Sequence, residues 1–407
     1  MTVEFGIGKA SGTVAAPPSK SFAHRLLIAA GLYSGCCTVE GVALSDDISR
    51  TLDCLKALGC RFEIDKGCVT FLGREPLGGG DTVILPCGES GSTLRFFVPI
   101  ALAFGGDFLF RCSPRLRERG IGGYDAVFEE QGISKSVTGE GFRLKGRLAP
   151  GTYRIDVSSS SQYLTGLLMA LPLLKGGSRI CTEGKLESSA YIDITLDVLR
   201  QAGIGINVED GAYIIPEGGK ALSGATRFTV EGDWSNAAFL EGFNLIGGNV
   251  TVTGLNPLSS QGDRKFRDHF KALSEGFAHI DISEQIDLGP VLFTLAALSH
   301  GAEITGTRRL ALKESDRVSA MLEELSAFGV RYSKDNNSVT IYESPLHAPG
   351  RPLEGHNDHR IVMALALPLS LFGGRINGAE AVRKSFPDFF ETLGKLGIKT
   401  KNYADQG

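Results

Sequence analysis

The stretch SFAHRLLIAAGLYSG, Ser21 to Gly35, running on into Cys36–Glu40, decides the architecture. It opens on a residue that can cap free N–H groups, continues for about four apolar helical turns, stops at glycine and enters a short strand. Five further stretches repeat this order. They are STLRFFVPIALAFGG ending at Gly106, SQYLTGLLMALPLLKGG ending at Gly177, SNAAFLEGFNLIGG ending at Gly248, PVLFTLAALSHG ending at Gly301 and HRIVMALALPLSLFGG ending at Gly374. Each is apolar nearly all round, which predicts a buried helix.

A second, amphipathic type of segment follows each time. DDISRTLDCLKALG leads into CRFEID, GYDAVFEEQG into ISKSVTG, IDITLDVLRQAG into IGINVED, SDRVSAMLEELSAFG into VRYSKD, and FPDFFETLGKLG into IKTKNY. The weakest copy is Lys265 to Gly276. The chain therefore reads as about six strand–helix–strand–helix–strand–strand units, with a period of roughly 55–75 residues. Right-handed crossovers predict parallel pairing inside each unit. The buried helices need cover on every side, and three units around a bundle of them would supply it. The predicted fold class is α/β with two lobes, each of three βαβαββ units packed around buried helices, an inside-out α/β barrel. Expected crossings between lobes are Val14–Ser19 and Gly218–Arg227. This assigns residues 1–18 plus 228–407 to one lobe and 19–227 to the other. An open solenoid is the competing architecture, although no polar capping repeat stands at either end.

Composition narrows the function. A chain of 407 residues suggests two or three domains. With 42% hydrophobic and 22% charged residues it resembles an ordinary globular protein rather than a disordered one. Lys and Arg number 42 against 46 Asp and Glu, so a global basic field for nucleic acid is absent and any anion site depends on local placement. The eight cysteines lie between Cys36 and Cys181 without a CxxC pair, which suggests buried free thiols in a reducing compartment. The first residues lack an apolar signal-like core. The longest apolar stretch, Ile361 to Phe372, contains Pro368 and falls short of the ~20 residues needed to span a bilayer. A soluble, cytoplasmic protein is expected, with no membrane or nucleic-acid partner.

Functional side chains concentrate between the elements. PPSKSFAHR holds Lys20, Ser21 and Arg25 at a helix start; ESGSTLR holds Glu89, Gly91, Ser92 and Arg95 at another. SPRLRERG carries Arg115, Arg117 and Arg119, and SSSSQ runs from Ser158 to Gln162. LKESDR offers Lys313, Glu314, Asp316 and Arg317; HNDHR offers Asp358, His359 and Arg360; VRKSFPD offers Arg383 and Lys384. Helix N-termini present free N–H donors and partial positive charge, and added Arg and Lys fit phosphate and carboxylate. Taken singly, the Ser-rich starts read equally as caps, ESDR and NDHR as capping boxes with surface ion pairs, and SPRLRERG as a solvated basic loop. Recurrence in both halves of the chain favours a multiply anionic ligand. A metal is not expected, since His356 and His359 lack a third ligand set. GxxxxGK[ST] and GxSxG motifs are missing as well.

These motifs resemble those of the 5-enolpyruvylshikimate-3-phosphate synthase (3-phosphoshikimate 1-carboxyvinyltransferase) family of enolpyruvyl transferases. PPSKSFAHR is similar to that family's P-G-S-K-S-x-x-x-R, GESGSTLR to its N-A-G-T-x-x-R and PRLRERG to its P-x-x-x-R-P. SSSQYLTGLLMALP, YIDITLDVL, LKESDR, NDHR and KSFPDFF also match, over essentially the whole length. The resemblance implies transfer of enolpyruvyl from phosphoenolpyruvate to the 5-hydroxyl of shikimate 3-phosphate, within aromatic amino acid and chorismate biosynthesis. It implies no cofactor and no metal, and a monomer is expected. By motif position, Lys20, Ser21, Arg25, Ser160, Ser161, Gln162, Ser188, Tyr191, Asp287 and Lys313 would contact shikimate 3-phosphate. Lys20, Gly91, Arg119, Gln162, Arg317, Arg360 and Lys384 would contact phosphoenolpyruvate. Asp287 would act as base toward the hydroxyl and Glu314 as acid and base at C3, with Lys20 assisting. The active site would lie in a cleft between the lobes, which would close on ligand and exclude water.

The chain departs from the family pattern in places. Glu89, Ser90 and Ser92 replace Asn, Ala and Thr, Phe96 follows Arg95 where Pro is common, and Gly120 stands in a Pro position. A carboxylate at Glu89 would oppose a bound anion unless turned away or paired. Two alternatives stay open: a UDP-N-acetylglucosamine enolpyruvyl transferase, which typically has a reactive Cys in a Gly-rich loop, and a non-catalytic binding protein built from the same repeats.

Overall fold

The computed structural model describes residues 1–33, 35–78, 80–217 and 227–403. It divides into a discontinuous unit, Met1–Pro17 with Gly232–Gly407, and an inserted unit, Pro18–Glu231. The first division falls inside the expected Val14–Ser19 crossing. Of the second expected crossing, all but Arg227 lies outside the described residues, and the division comes after it. Strand Arg227–Thr229 still pairs in parallel with Cys37–Glu40, which keeps it in the inserted unit and moves the boundary from 227/228 to Glu231/Gly232.

In the inserted unit the all-round apolar segments become helices Lys20–Tyr33, Gly91–Phe104 and Gln162–Ala170, with nearly every residue buried. Each amphipathic partner buries one face, as Asp46–Ala57 and Ala190–Gln201 do. These five helices pack in a ring: Lys20–Tyr33 on Asp46–Ala57, that on Gly91–Phe104, then Gln162–Ala170, Ala190–Gln201 and back to Lys20–Tyr33. The tightest junction is between Gly91–Phe104 and Gln162–Ala170. A Cβ at Gly166 would sit 2.6 Å from the Arg95 carbonyl, so only glycine allows that approach.

Three four-stranded sheets belong to this unit. Val83–Gly88 pairs in parallel with Gly106–Cys112, which runs antiparallel to Gly141–Gly146, and that to Ser134–Val137. Thr152–Asp156, Ser178–Glu183, Ala212–Ile215 and Asn207–Glu209 repeat the pattern. So do Arg227–Thr229, Cys37–Glu40, Cys68–Arg74 and Cys60–Asp65, with the first strand taken from the far end of the unit.

The discontinuous unit has its own core. Helices Gly289–Ala297, Arg317–Ser326 and His359–Phe372 pack on one another, and Trp234–Glu241 packs on His359–Phe372. Ala278–Asp281, Ala302–Thr305, Ser338–Tyr342 and Arg331–Lys334 form one complete sheet. A second, Leu353–Glu354, Gly374–Asn377, Thr2–Phe5 and Thr400–Tyr403, takes one strand from the start of the chain. The remaining copy, which includes Lys265–Gly276, departs from the expected unit. Only Ser11–Ala15 and Asn249–Thr253 pair, because helix Phe266–Glu275 runs within three residues into Ala278–Asp281, leaving no length for a closing hairpin.

Three other expectations change. SQYLTGLLMALPLLKGG and SNAAFLEGFNLIGG are α-helical only to Ala170 and Glu241, then tighten into 3-10 turns, the first at Pro172 and the second from Gly242. SPRLRERG is helical from Pro114 to Arg119 rather than a loop, with Ser113 capping and Pro114 fitting the first turn. All eight cysteines are free, but Cys36 is exposed and Cys68 and Cys181 are only half-buried. No described helix is long and apolar enough to cross a membrane.

Candidate active site

In the discontinuous unit the LKESDR and HNDHR segments meet around one guanidinium. Arg317 opens its helix behind the Asp316 cap and is buried. Its Nε donates to Asp358 Oδ2 at 2.8 Å and its Nη2 to Asp358 Oδ1 at 3.2 Å. Nη1 reaches Asp287 Oδ1 at 2.9 Å, and Nη2 also reaches Glu314 Oε2 at 2.7 Å. Burial alone would pull Arg317 down, but Asp358, Glu314 and Asp287 hold it well above the ordinary guanidinium range.

Asp287 sits in a 3-10 turn just before helix Gly289–Ala297. Besides Arg317, Lys313 Nζ lies 3.1 Å from its Oδ1 and Arg360 Nη2 3.2 Å from its Oδ2. Arg360 Nη1 also donates to the Asp287 carbonyl at 3.1 Å. Burial lowers the Lys313 ammonium, helped by Arg317 and Arg309 and opposed by Asp287 and Glu314. Asp358 is fully buried, caps helix His359–Phe372 through the Arg360 N–H, and accepts from Ser315. Lys384 Nζ donates to the Asn357 carbonyl at 2.6 Å, next to Asp358. Three carboxylates thus interleave with three cations, and a fourth cation is anchored one residue away. The Asp287 and Glu314 side chains keep 16% and 21% of their surface open, so an incoming ligand has access to both.

Asp263 carries no sequence signal and adds a further acid here. The Ser235 hydroxyl donates to it, and burial together with Asp287 pushes its carboxyl up to about 7.

In the inserted unit, Lys20 is the first residue of its helix and its Nζ lies 2.8 Å from Asp47 Oδ2. Arg25, one turn on, is buried and fully engaged. Its Nε donates to Thr195 Oγ1 at 2.7 Å, Nη1 to the Ser21 carbonyl at 2.8 Å and Nη2 to the Tyr191 carbonyl at 3.1 Å. It lies 5.0 Å over the Phe96 ring, and burial draws it down to about 9, still a cation at neutral pH. Ser21, Arg25 and Tyr191 are thereby brought together. Ser188, at φ 60° just ahead of helix Ala190–Gln201, accepts the Tyr191 N–H. Buried Ser161 precedes helix Gln162–Ala170, and the Ser160 hydroxyl accepts the Gln162 N–H.

Gln162 is held from two sides. Its Oε1 accepts from Arg95 Nη1 at 2.7 Å and its Nε2 donates to Ser92 Oγ at 3.0 Å. Ser90 caps helix Gly91–Phe104 by accepting the Thr93 N–H. Two of the departures from the family pattern therefore have structural work, and Glu89 is exposed. The Arg119 guanidinium packs over Gly91, where a Cβ would stand 3.1 Å from Nη2. Arg119 is the last residue of its short helix, and Lys384 likewise ends a 3-10 turn, whereas Lys20, Arg317 and Arg360 stand at helix starts.

The residues missed in the sequence are Asp47, Thr195, Asp263, the Arg95–Gln162 link and Thr165, whose hydroxyl accepts from Arg25 Nη2 at 3.3 Å. The only available signal was position: Asp47 and Thr195 face inward on amphipathic helices. His356 and His359 do not form a common metal site. Among the described residues the one ligand-type group is Glu323, Glu324 and His356, and there Glu324 already binds Arg351 at 2.8 Å.

A family model described as EPSP synthase (3-phosphoshikimate 1-carboxyvinyltransferase) matches residues 5–393. A Clostridium kluyveri protein named 3-phosphoshikimate 1-carboxyvinyltransferase is 36% identical over 96% of both chains. One of the same name from Methanoculleus marisnigri is 35% identical over 96% of this chain and 98% of its own. An Acinetobacter baumannii EPSP synthase structure superposes with TM-score 0.78 at 22% identity, covering 98% of this chain and 100% of that one. The enolpyruvyl transferase NikO from Streptomyces tendae gives 0.76 at 16% identity, covering 98% of each, and like the former speaks for the fold. With a match from Phe5 to Leu393 that spans both units and every site segment described above, the chain belongs to the EPSP synthase (3-phosphoshikimate 1-carboxyvinyltransferase) family.

Proposed function

We propose that the protein transfers the enolpyruvyl group of phosphoenolpyruvate to the 5-hydroxyl of shikimate 3-phosphate and releases phosphate. Full-length family membership carries this reading. What supports it in the geometry is that Asp287 and Glu314, the two carboxylates the chemistry requires, share the single guanidinium of Arg317.

The reaction needs two opposed proton movements. As the 5-hydroxyl oxygen bonds to C2, its proton passes to Asp287. Glu314, with Lys20 assisting, delivers a proton to C3, so the methylene becomes a methyl in a tetrahedral adduct. In the second half the methyl returns a proton, the C2–O bond to phosphate breaks, and inorganic phosphate leaves. In the discontinuous unit Arg317, Arg360 and Lys384 suit the phosphoenolpyruvate anion, as do Arg119, Gly91 and Gln162 in the inserted unit, and preorganised cations stabilise the charge growing on departing phosphate. Ser21, Arg25, Ser160, Ser161, Ser188 and Tyr191 suit shikimate 3-phosphate, with Lys313 and Asp287 toward its reacting end. When anions arrive, Lys313, Arg317 and Arg360 gain new partners, and Asp287 is released to accept the hydroxyl proton.

A coupled phosphate-release assay tests the reading. Phosphate is expected from phosphoenolpyruvate only when shikimate 3-phosphate is present. Release with UDP-N-acetylglucosamine instead, or with neither acceptor, overturns it.

A further inference from the structure

His356 and Asn357 are consecutive non-glycine residues in the left-handed region, at φ 49° and 51°. Such backbone persists only where its surroundings hold it. Here the bracing comes from several directions. The Gly355 N–H donates to the Asn377 carbonyl at 2.9 Å, and the Asp358 N–H donates back to the Gly355 carbonyl at 2.8 Å. The remaining hold is electrostatic: His356 Nε2 lies 3.0 Å from Glu324 Oε1.

Glu324 is wholly buried on helix Arg317–Ser326, seven residues beyond Arg317 and therefore on the same face. One helix thus grips the turn twice, through Arg317 at Asp358 and through Glu324 at His356. A buried carboxylate needs charged partners. Burial raises Glu324, but His356, Arg351 and the Glu354 backbone together leave it lowered. The groups around His356 are Glu323 and Glu324 from that helix and Glu354 from its own segment, with Arg351 on the other oxygen of Glu324. Strand Gly374–Asn377 contributes Asn377, whose amide donates to Glu354 at 2.8 Å. From the start of helix His359–Phe372, Asp358 is committed to Arg317 and Arg360 to Asp287. Three carboxylates against one guanidinium favour imidazolium. The Glu324 hydrogen bond raises His356 above the ordinary histidine value, against the pull of its partial burial.

We propose that His356 is a positioning residue for the reaction above: as an imidazolium seated on Glu324, it holds the left-handed turn that aims the Asn357 carbonyl at Lys384 and delivers Asp358 to Arg317. The inference rests on the functional reading, since Lys384 is there assigned to phosphoenolpyruvate. Deprotonation of His356 loosens the turn first at Asn357, whose carbonyl holds Lys384, and so weakens phosphoenolpyruvate binding, while the two-point bond of Asp358 keeps Arg317 on Asp287 and Glu314.

The test compares wild type with His356→Gln, whose amide can still donate to Glu324 but carries no charge. At pH 6.5 the variant is expected to raise KM for phosphoenolpyruvate about fivefold, with kcat within about twofold. On going to pH 9 the wild-type KM should climb toward that of the variant, whose own profile lacks the step. Coinciding KM profiles overturn the proposal while leaving the functional reading intact, whereas a wild type without transferase activity overturns the reading itself. A second measurement needs no variant. Binding linkage is reciprocal, so inorganic phosphate should raise the His356 titration midpoint followed by imidazole NMR in the wild-type protein. An unmoved midpoint at saturating phosphate counts against the proposal.

Discussion

Arg317 and Asp358, 41 residues apart, form a two-point ion pair with neither side chain open to solvent. The pair joins the starts of two helices, because Arg317 opens one and Asp358 caps the other. A charge-assisted, bidentate bond of this kind fixes direction as well as distance, so the rest of the Arg317 fork is aimed at Asp287 and Glu314.

Removing one partner of a buried pair leaves the other charge stranded. Asp358→Ala should destabilise the discontinuous unit by about 3–5 kcal/mol. Loss of the helix cap adds about 1 kcal/mol. Urea unfolding followed by a probe in that unit reads this as a lower midpoint for its own transition, and an unmoved midpoint would mean that the pair contributes nothing.

Glu314→Gln keeps the shape and a hydrogen-bonding oxygen for Arg317 but cannot exchange a proton with C3. Turnover should fall by about 10²–10⁴-fold. Calorimetry should show shikimate 3-phosphate binding preserved. A variant with wild-type turnover removes Glu314 from the chemistry.

At Gly91 a methyl group would press on Arg119, with guanidinium atoms 3.1 to 3.3 Å away. The flexible arginine must shift, and with it the anion contact proposed for Arg119. Gly91→Ala should raise KM for phosphoenolpyruvate about tenfold, equivalent to about 1.4 kcal/mol. Stability should not suffer, since alanine favours a helix more than glycine does. Unchanged KM in a folded variant would show that Arg119 has room to move.

Asp263 gives a pH signature. Its folded-state value, about 7, lies above the ordinary 3.8, so the folded protein binds the extra proton between those limits. Stability from this group is therefore full below about 3.8 and declines as pH rises toward 7. Asp263→Asn should lessen the loss of unfolding free energy between pH 5 and pH 8, by an amount on the order of 1–3 kcal/mol. Parallel pH profiles for variant and wild type would rule this out.

The repeating helices were readable because glycine and serine punctuate them and because a helix apolar on every side has to be covered. Hence Lys20, Gly91, Gln162 and Arg317 stand at helix starts, as their segments suggested. Side-chain partnerships were far less readable. Arg25 depends on Thr195, 170 residues away, and Arg95 on Gln162, 67 away, and a neutral hydroxyl or amide carries no local mark of such a role. The short helix Pro114–Arg119 was obscured by its four charged residues, although its Ser-Pro start is a helix signal. The incomplete copy showed in the sequence only as the weakest of its class, because Lys265–Gly276 preserves the helical pattern while the strand that follows, Ala278–Asp281, pairs with Ala302–Thr305 instead of closing a hairpin.

Strand Thr2–Phe5 pairs with Gly374–Asn377 and Thr400–Tyr403, and Ser11–Ala15 with Asn249–Thr253. During vectorial synthesis the first seventeen residues therefore emerge long before their partners exist. The segment 18–231 leaves the ribosome as an uninterrupted unit and is able to fold first, while Ser11–Ala15 waits for Asn249–Thr253 and Thr2–Phe5 for Gly374–Asn377 and Thr400–Tyr403.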